Sequence, residues 1–305
     1  MRAAVIGAGA IGAGTGEPDV KSPSSHAAAY MAAGFKLVAL ADSDAQARRR
    51  AERWGCPVYA NFDEMMNGAK PEVLSFAVPT DARPALLLQA LAFRPLAVIA
   101  EKPLAPSVTE AKQIVAAYRD ASVPLIVNYT RRFVPAWQGL RGTSAMSTTI
   151  RYAKGLRHNG THAIDLCRML FGECGGGMPL ARKYDYWSDD PTVSALLRFE
   201  RCPEVYLVSL DERCFTLFEA DIIGAASRVI VDCDGTRLRR FELHDHAGTP
   251  PGKRLIETAA EDTGAALALV NLMRHVLDVV GGAAPLCTGE DAVAALRIAE
   301  EIAAA

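Results

Sequence analysis

The sequence has little of several features that define common protein classes. Its net charge is only −2, from 33 basic and 35 acidic residues, so it lacks the excess of one sign that attracts nucleic acid or an anionic membrane. No apolar run reaches the ~20 residues that a membrane-spanning helix requires. Because the apolar stretch that begins at Met1 is too short for a signal peptide, we expect a cytoplasmic protein.

Cysteine is present but follows no functional pattern. The seven cysteines are scattered and form no C-x-x-C pair, which argues against a disulfide framework and against a zinc site. We therefore expect reduced thiols and no metal centre. Internal repeats and low-complexity segments are also missing. The chain of 305 residues is longer than one core comfortably supports, so two domains are predicted.

The most informative motif follows the first apolar stretch. Residues 2–6 read as a short buried strand that runs into the glycine pattern Gly7-Ala-Gly-Ala-Ile-Gly12. In this context the first glycine allows a tight turn, the second lets the backbone approach a pyrophosphate, and the third lets a helix pack on the strand. Backbone N–H groups at such a turn face the anion. The predicted phosphate-binding residues are Gly7, Gly9, Ala10, Ile11 and Gly12.

A second predicted strand, residues 36–41, ends at Asp42. An acidic residue at this place hydrogen-bonds the adenosine ribose hydroxyls, so Asp42 favours NAD over NADP. Because the arginines at 48–50 could pair with a 2′-phosphate, NADP stays open. Asp42 lies 42 − 12 = 30 residues beyond the last glycine of the pattern, whereas ~20 are expected. A segment rich in glycine, proline and serine, residues 14–25, accounts for the excess and predicts a loop before a helix that begins near His26.

Apolar runs alternate with amphipathic stretches through the first part of the chain, with Ser107 placed to cap one helix. Such βα units predict a parallel sheet, and ligands bind at the carboxyl ends of its strands. The predicted strands are residues 2–6, 36–41, 73–77, 97–100 and 125–128. Their ends supply four further cofactor-binding candidates, namely Pro79, Thr80, Glu101 and Lys102.

Beyond about residue 145 the pattern changes to consecutive alternating strands. Strands without helices between them favour a mostly antiparallel sheet. These strands are predicted at 147–152, 192–199, 205–210, 215–223, 228–232 and 237–243, and helices return at 263–280 and 290–304. The predicted fold class is α/β. A Rossmann doubly wound parallel sheet occupies residues 1–124, and an α/β domain with a large, mostly antiparallel open sheet occupies residues 125–305.

A polar cluster, residues 155–172, lies early in this second half. His162 and Asp165 are three residues apart, so they share a face if the segment from Thr161 is helical, with Thr161 or Asn159 as its cap. His162 is a candidate acid/base because an imidazole titrates near neutral pH. A helix-capping cluster with a hydrogen-bonded histidine is an equal alternative.

Four motifs in order resemble the Gfo/Idh/MocA oxidoreductases, relatives of glucose-fructose oxidoreductase and inositol dehydrogenase. They are the glycine pattern, Glu101-Lys102-Pro103, Asn128-Tyr-Thr-Arg-Arg-Phe133 and His162-Ala-Ile-Asp165. The resemblance implies a sugar or cyclitol substrate, an open sheet that serves contacts in a homodimer or homotetramer, and a cis Lys102–Pro103 peptide bond. It also makes Lys102 and His162 the matching catalytic residues. The family commonly has an aspartate four residues before this histidine, where the chain has His158.

The predicted function is reversible hydride transfer between NAD or NADP and a secondary alcohol or ketone of a sugar, cyclitol or nucleotide sugar. His162 acts as the general base, and Lys102 hydrogen-bonds the reacting oxygen. Two alternatives stay open: a non-catalytic NAD-sensing protein, which His158 favours, and a hydrolase or epimerase that regenerates its NAD. For the arginines at 131–132, a solvated or salt-bridge role is an equal alternative. The predicted substrate-binding residues are Asn128, Tyr129, Arg131, Arg132, Arg157, His158 and Asp165.

Overall fold

The computed structural model describes residues 1–14, 23–248 and 251–305. Most of the predicted loop at 14–25 therefore lies outside the described residues. The chain divides into two compact units, the first comprising Met1–Phe133 and Ala266–Ala294, the second Val134–Ala265 and Ala295–Ala305. This division differs from the expected one at 124/125 for two reasons. The strand that follows residue 124 pairs within the first sheet, and the chain returns to the first unit after residue 265.

The first unit contains a parallel sheet of six strands. They are β1 (Arg2–Ile6), β2 (Lys36–Ala41), β3 (Val58–Tyr59), β4 (Val73–Phe76), β5 (Ala97–Ala100) and β6 (Leu125–Val127). Their order, β3-β2-β1-β4-β5-β6, is that of a dinucleotide-binding doubly wound sheet. The strands are mostly buried apolar runs, as a sheet covered on both faces requires. The predicted Rossmann sheet is confirmed, with β3 as the strand that the sequence did not predict.

Nine α-helices lie in the described part of the chain. They are α1 (His26–Ala32), α2 (Ala45–Ala51), α3 (Phe62–Ala69), α4 (Arg83–Ala90), α5 (Val108–Asp120), α6 (Pro135–Gln138), α7 (Thr161–Phe171), α8 (Ala268–Val280) and α9 (Gly289–Ala304). Short polar side chains begin several of them because they accept an otherwise unpaired backbone N–H. Ser25 accepts the N–H of Ala28, and Ser107 accepts that of Glu110 at 3.2 Å. The predicted helix start near His26 and the predicted cap at Ser107 are confirmed.

Helix α8 explains why the chain returns to the first unit. Its buried face packs on α1 and β5, and Leu272, Met273 and Val276 on that face are fully buried. The sequence predicted this helix from residue 263, but residues 265–267 form a 3₁₀ turn first. None of the helices that the structure describes is long and apolar enough to cross a bilayer.

The second unit is built on a sheet of eight strands. They are β7 (Ser147–Tyr152), β8 (Cys174–Lys183), β9 (Thr192–Phe199), β10 (Cys202–Ser209), β11 (Glu219–Ile223), β12 (Ser227–Asp232), β13 (Arg237–His246) and β14 (Gly252–Asp262). Their order is β14-β13-β12-β11-β7-β10-β9-β8. Neighbours are antiparallel except β7 and β10, which pair in parallel with Thr148 opposite Val205. The predicted mostly antiparallel sheet is confirmed, and β8 and β14 are additions to it.

Candidate functional site

The carboxyl ends of the strands in the first unit are joined by backbone hydrogen bonds. Each bond links the residue after one strand to the last residue of its neighbour, so the strand ends are fixed in a row. The bonds run from Gly7 to Ala41 (2.8 Å), from Ala77 to Ile6 (2.7 Å), from Glu101 to Phe76 (3.1 Å) and from Asn128 to Ala100 (2.8 Å). This row is the edge at which ligands bind in an open parallel sheet.

A cavity of about 750 Å³ lies at this edge and includes Gly7 and Gly9 in its lining. Gly7 has a φ of +92°, and a Cβ there would lie 2.6 Å from the carbonyl oxygen of Ala77. A Cβ on Gly12 would overlap the carbonyl oxygen of Gly7. A Cβ on Gly9 would meet nothing within 4 Å. The backbone geometry thus requires glycine at two positions of the pattern and leaves the surface open at the third.

Asp42 lines the same cavity, and two backbone groups hold its carboxylate. Its Oδ2 accepts the N–H of Ala8 at 2.7 Å, and its Oδ1 accepts that of Asp44 at 2.8 Å. Arg48 donates to the carbonyl oxygens of Asp42 and Ser43, whereas Arg50 lines the cavity. Of this arginine run, Arg50 therefore forms part of the cavity wall, whereas Arg48 is hydrogen-bonded to the backbone at Asp42 and Ser43.

The cavity includes some predicted cofactor residues and adds others. Four of the predicted cofactor residues line it: Gly7, Gly9, Asp42 and Pro79. The other predicted residues also lie in the described part of the chain, but they are not part of the lining; they are Ala10, Ile11, Gly12, Thr80, Glu101 and Lys102. Residues that the sequence reasoning missed include Ser43, Arg50, Asn61, Phe62 and Val78. Asn61 accepts the backbone N–H of Glu64 at 2.9 Å and so caps the start of α3. An asparagine just before a helix is a recognisable cap, and this pattern could have predicted Asn61 and Phe62 as residues at the end of a connection near the cavity.

Glu101 is the centre of a buried polar network beside Lys102. Its Oε1 accepts the Asn128 amide at 2.6 Å and lies 2.8 Å from His26 Nε2. Burial alone would raise the pKa of Glu101, but the hydrogen bond and charge of His26, the charge of Lys102 and the Asn128 amide together hold it below its ordinary value. Asn128, predicted to read substrate, thus has its amide committed to Glu101.

Arg83 ties the segment that contains Lys102 to the cavity wall. Its buried guanidinium donates to the carbonyl oxygen of Val78 at 2.7 Å and to that of Pro103, and Val78 lines the cavity. Burial lowers the pKa of Arg83 to about 10, against the opposing effect of the Glu101 charge. Lys102 itself is half-buried. The Lys102–Pro103 peptide bond is cis, as the resemblance implied.

Arg132 is held by groups of its own unit. It donates to the carbonyl oxygen of Leu286 at 2.9 Å and forms an ion pair with Asp291 at 3.0 Å. A ligand at Arg132 would have to compete with this carboxylate. Tyr129 is buried and Arg131 is half-buried.

In the second unit, α7 presents His162 and Asp165 on one helical face. His162 is 6% exposed and Asp165 is 1% exposed. The predicted side-chain cap of this helix is wrong, because a π-helical turn at 156–160 runs directly into it. The Thr161 hydroxyl donates instead to the Arg157 carbonyl at 2.7 Å, and the Asn159 amide to the Ala153 carbonyl at 2.9 Å.

His158 lies in that π-helical turn and is partnered from outside it. Its Nδ1 is 2.8 Å from Asp190 Oδ2, and its ring stacks on Trp187 with centroids 4.5 Å apart. Arg157 beside it is exposed. The sequence did not predict Asp190 or Trp187 as site residues. Because the pattern of β8 does not indicate a strand, the connection from β8 to β9 that carries them was not recognised.

Solved structures share this fold over nearly the whole chain. Levoglucosan dehydrogenase in complex with NADH and levoglucosan has a TM-score of 0.80 at 15% identity, and the match covers 100% of this chain and 96% of that chain. UDP-N-acetylglucosamine 3-dehydrogenase from Acidithiobacillus ferrooxidans has a TM-score of 0.77 at 18% identity, over 99% of this chain and 96% of that chain. An oxidoreductase from Agrobacterium radiobacter, solved with NAD+, L-tartaric acid and magnesium, has a TM-score of 0.74 at 16% identity, over 98% and 94%. At these identities the likeness is one of fold.

The sequence itself matches a family model over the glycine pattern, the strand ends and the Glu-Lys-Pro tripeptide. Residues 1–129 match the Gfo/Idh/MocA model, described as an oxidoreductase family with an NAD-binding Rossmann fold. No curated protein matches the chain. Over residues 1–129 the chain is therefore similar to the Gfo/Idh/MocA oxidoreductases, a family with an NAD-binding Rossmann fold.

Proposed function

We propose that this chain is an NAD-dependent dehydrogenase that transfers a hydride between the nicotinamide and a secondary alcohol or ketone of a sugar, cyclitol or nucleotide sugar. The observation that carries the proposal is the position of Arg83. It ties the segment after Lys102 to Val78, which lines the cavity. A lysine thereby stands at the strand edge where ligands bind, beside a cavity within the range of small-molecule sites, about 300–1,000 Å³.

The residues that would hold NAD are those of the glycine pattern, Asp42 and Pro79. They fit the cofactor because the surface at Gly9 is open and Asp42, whose carboxylate is held by the Ala8 N–H, lines the cavity. When bound, NAD supplies the hydride acceptor. Asp42, Asp44 and Arg50 all line the cavity. The two carboxylates repel a 2′-phosphate and the single guanidinium attracts it, so the balance of charge favours NAD over NADP.

In the proposed mechanism one side chain transfers the proton and another stabilises the developing charge. His162 takes the proton of the substrate hydroxyl during oxidation and returns it during ketone reduction. Lys102 donates a hydrogen bond to the same oxygen and stabilises the negative charge that develops on it. Asp165, on the face of α7 that carries His162, hydrogen-bonds a further substrate hydroxyl.

Substrate recognition is proposed for further polar side chains of each unit. Tyr129, Arg131 and Arg157 read hydroxyl or phosphate groups, since a guanidinium binds phosphate in a bidentate manner. Asn128 and Arg132 act indirectly, because Glu101 and Asp291 already engage them. The levoglucosan and UDP-N-acetylglucosamine dehydrogenases, which share the fold, support a sugar-like substrate.

The test is the change in nicotinamide absorbance with a panel of sugars, cyclitols and nucleotide sugars. Lys102→Met and His162→Ala should each lower kcat by ~10²–10⁴ with the NAD dissociation constant unchanged, because each removes a group that acts in the transition state. Lys112→Met on α5 and His244→Ala on β13 replace the same residue types at exposed positions. These controls should keep full activity.

Three other results would change the assignment. Near-normal turnover in both variants would contradict the roles of Lys102 and His162. Tight NAD binding without turnover on any substrate would favour the sensing protein. Product formation without net NADH would favour the hydrolase or epimerase.

A further inference from the structure

The connection between β8 and β9, residues 184–191, brings a carboxylate to His158. Asp190 Oδ2 lies 2.8 Å from His158 Nδ1 and accepts the backbone N–H of the same residue at 3.0 Å. Asp190 Oδ1 accepts the backbone N–H of Arg157 at 2.9 Å. Asp190 is 3% exposed. One buried side chain therefore fixes both the main chain and the ring at this turn.

These contacts determine which ring nitrogen carries the proton. A carboxylate only accepts hydrogen bonds, so the contact with Asp190 requires a proton on His158 Nδ1. In the neutral ring this leaves the lone pair on Nε2. The Asp190 carboxylate thus selects one of the two tautomers of His158.

Aromatic side chains of the same connection fix the plane of the imidazole. Trp187 stacks on the His158 ring with an angle of 19° between the planes. Tyr186 packs its ring edgewise on Trp187 at 4.8 Å, and Lys154 Nζ lies 5.6 Å from the Tyr186 ring centroid. The indole covers one face of the imidazole, yet 39% of the His158 side chain stays exposed.

The backbone opposite Asp190 is shaped to admit its carboxylate. Gly155 has a φ of +81°, and a Cβ there would overlap Asp190 Oδ2. The N–H of Gly155 donates to Thr192 Oγ1 at 2.6 Å. A larger residue at this position would push the carboxylate away from His158, so the contact is built into the local backbone.

We propose that Asp190 is the positioning residue of His158 and that this histidine accepts a hydrogen bond from a substrate hydroxyl through Nε2. Asp190 holds Nδ1–H, and Trp187 holds the plane of the ring. His158 then presents an acceptor of fixed direction, as a polyhydroxylated substrate requires. The substrate hydroxyl in this assignment rests on the proposed function, whereas the Asp190–His158 pair does not.

The pair is tested by ¹⁵N NMR of the histidine ring nitrogens in the full-length protein. Replacement of His158 by Gln assigns its signals among the six histidines. At a pH where the ring is neutral, we expect the Nδ1–H tautomer in the wild type and a gain of the Nε2–H tautomer in Asp190→Ala. An Nε2–H tautomer in the wild type would overturn the proposal, and this measurement needs no variant of Asp190.

Asp185→Asn is the matched control for the NMR experiment. Asp185 belongs to the same connection and is also buried, but it accepts from the Thr192 hydroxyl at 2.6 Å and from the Lys154 N–H at 3.0 Å. This variant should leave the His158 ring signals unchanged. A tautomer change as large as that of Asp190→Ala would mean that the connection acts only as structural support, which contradicts a specific role for Asp190.

Kinetics test the substrate role of the pair. His158→Gln and Asp190→Ala should each lower kcat/KM by about 10- to 100-fold, and the double variant should lose no more than His158→Gln alone, because Asp190 acts through His158. Additive losses would overturn the positioning role. If the wild type turns over no substrate, the proposed function and the substrate role both fail, while the tautomer still decides whether the pair exists.

Discussion

Asp42 shows how a single carboxylate is given a direction by the backbone around it. Two N–H groups, from Ala8 and Asp44, fix its two oxygens, and the side chain then lines the cavity beside Gly9. Hydrogen bonds to a charged group contribute about 1.5–3 kcal/mol each. Under the proposed function, this carboxylate discriminates between ribose hydroxyls and a 2′-phosphate.

Asp42→Ala should weaken NAD binding by about 10- to 100-fold, the equivalent of one charged hydrogen bond. NADP binding should change less, because the variant also removes a negative charge that repels the 2′-phosphate. Isothermal titration of both cofactors measures the two constants. Asp120→Ala, at an exposed carboxylate that ends α5, should leave both unchanged. A preference for NAD that survives Asp42→Ala would contradict this role.

The sequence singles out candidate residues but not their partners. Lys102, His162 and Asp42 are recognisable because each belongs to a motif with a local context. The contact between His26 and Glu101 joins residues 75 apart, and that between His158 and Asp190 joins residues 32 apart. Such pairs depend on how strands and connections meet in space, so no spacing rule could predict them. The same is true of Arg132, whose partner Asp291 lies on α9.

At the scale of elements, Glu101 joins three parts of the first unit. It follows β5, its partner His26 begins α1, and its partner Asn128 follows β6. Burial opposes ionisation of this carboxylate, but its contacts with His26 and Asn128 and the charge of Lys102 outweigh that effect, so the ionised form is favoured in the folded protein. The packing of these three elements against one another therefore depends in part on the charge of Glu101.

The stability of the protein should fall in acid partly because of Glu101. Its pKa in the folded state is held below the ordinary value of 4.5, so this stabilisation is present above that pH and is lost as the pH falls through the folded-state pKa. Glu101→Gln keeps the acceptor oxygen but lacks the charge. The difference in unfolding free energy between wild type and variant should therefore shrink as the pH falls below 4.5.

Urea denaturation across this pH range measures that difference. Glu64→Gln on α3, at an exposed position, is the control and should show a pH dependence close to that of the wild type. A gap between wild type and Glu101→Gln that stays constant into acid would show that the Glu101 charge does not stabilise the fold.

The sequence predicted the buried strands well and the exposed or very short strands poorly. β1 and β2 have the bounds that the sequence predicted, because buried parallel strands are continuous apolar runs. β3 has two residues, too few for any pattern. β8 contains three successive glycines and a proline, and all residues of β14 are exposed. Without a buried face there is no alternation for a sequence pattern to reveal.

At the scale of the whole molecule, the first unit is assembled from two distant stretches of chain. Residues 266–294 return to residues 1–133, and the Asn271 amide donates to the Phe133 carbonyl at 3.0 Å. Helix α8 in the returning stretch buries Leu272, Met273 and Val276 completely. Each such side chain contributes about 1.5–3 kcal/mol when buried, so this helix is part of the core of the unit.

A fragment of residues 1–133 should therefore not fold stably, since it leaves the α8 contact surface exposed to water. A chain that joins residues 133 and 266 through a short glycine–serine linker should fold and bind NAD, because the Asn271–Phe133 contact shows that the two stretches meet there. Thermal melts by circular dichroism and NAD titration compare the two. Cooperative melting of the shorter fragment with full NAD affinity would contradict the two-stretch unit.

The surroundings of His158 come from two sources that can change separately. His158 and His162 lie on one continuous helical segment, whereas Asp190 and Trp187 lie in the connection from β8 to β9. Exchanging residues 184–191 would retune the first histidine and leave the backbone of α7 as it is. If His158 has the proposed substrate role, replacing this connection with those of other chains is a way to alter substrate preference that spares the sequence of the helix.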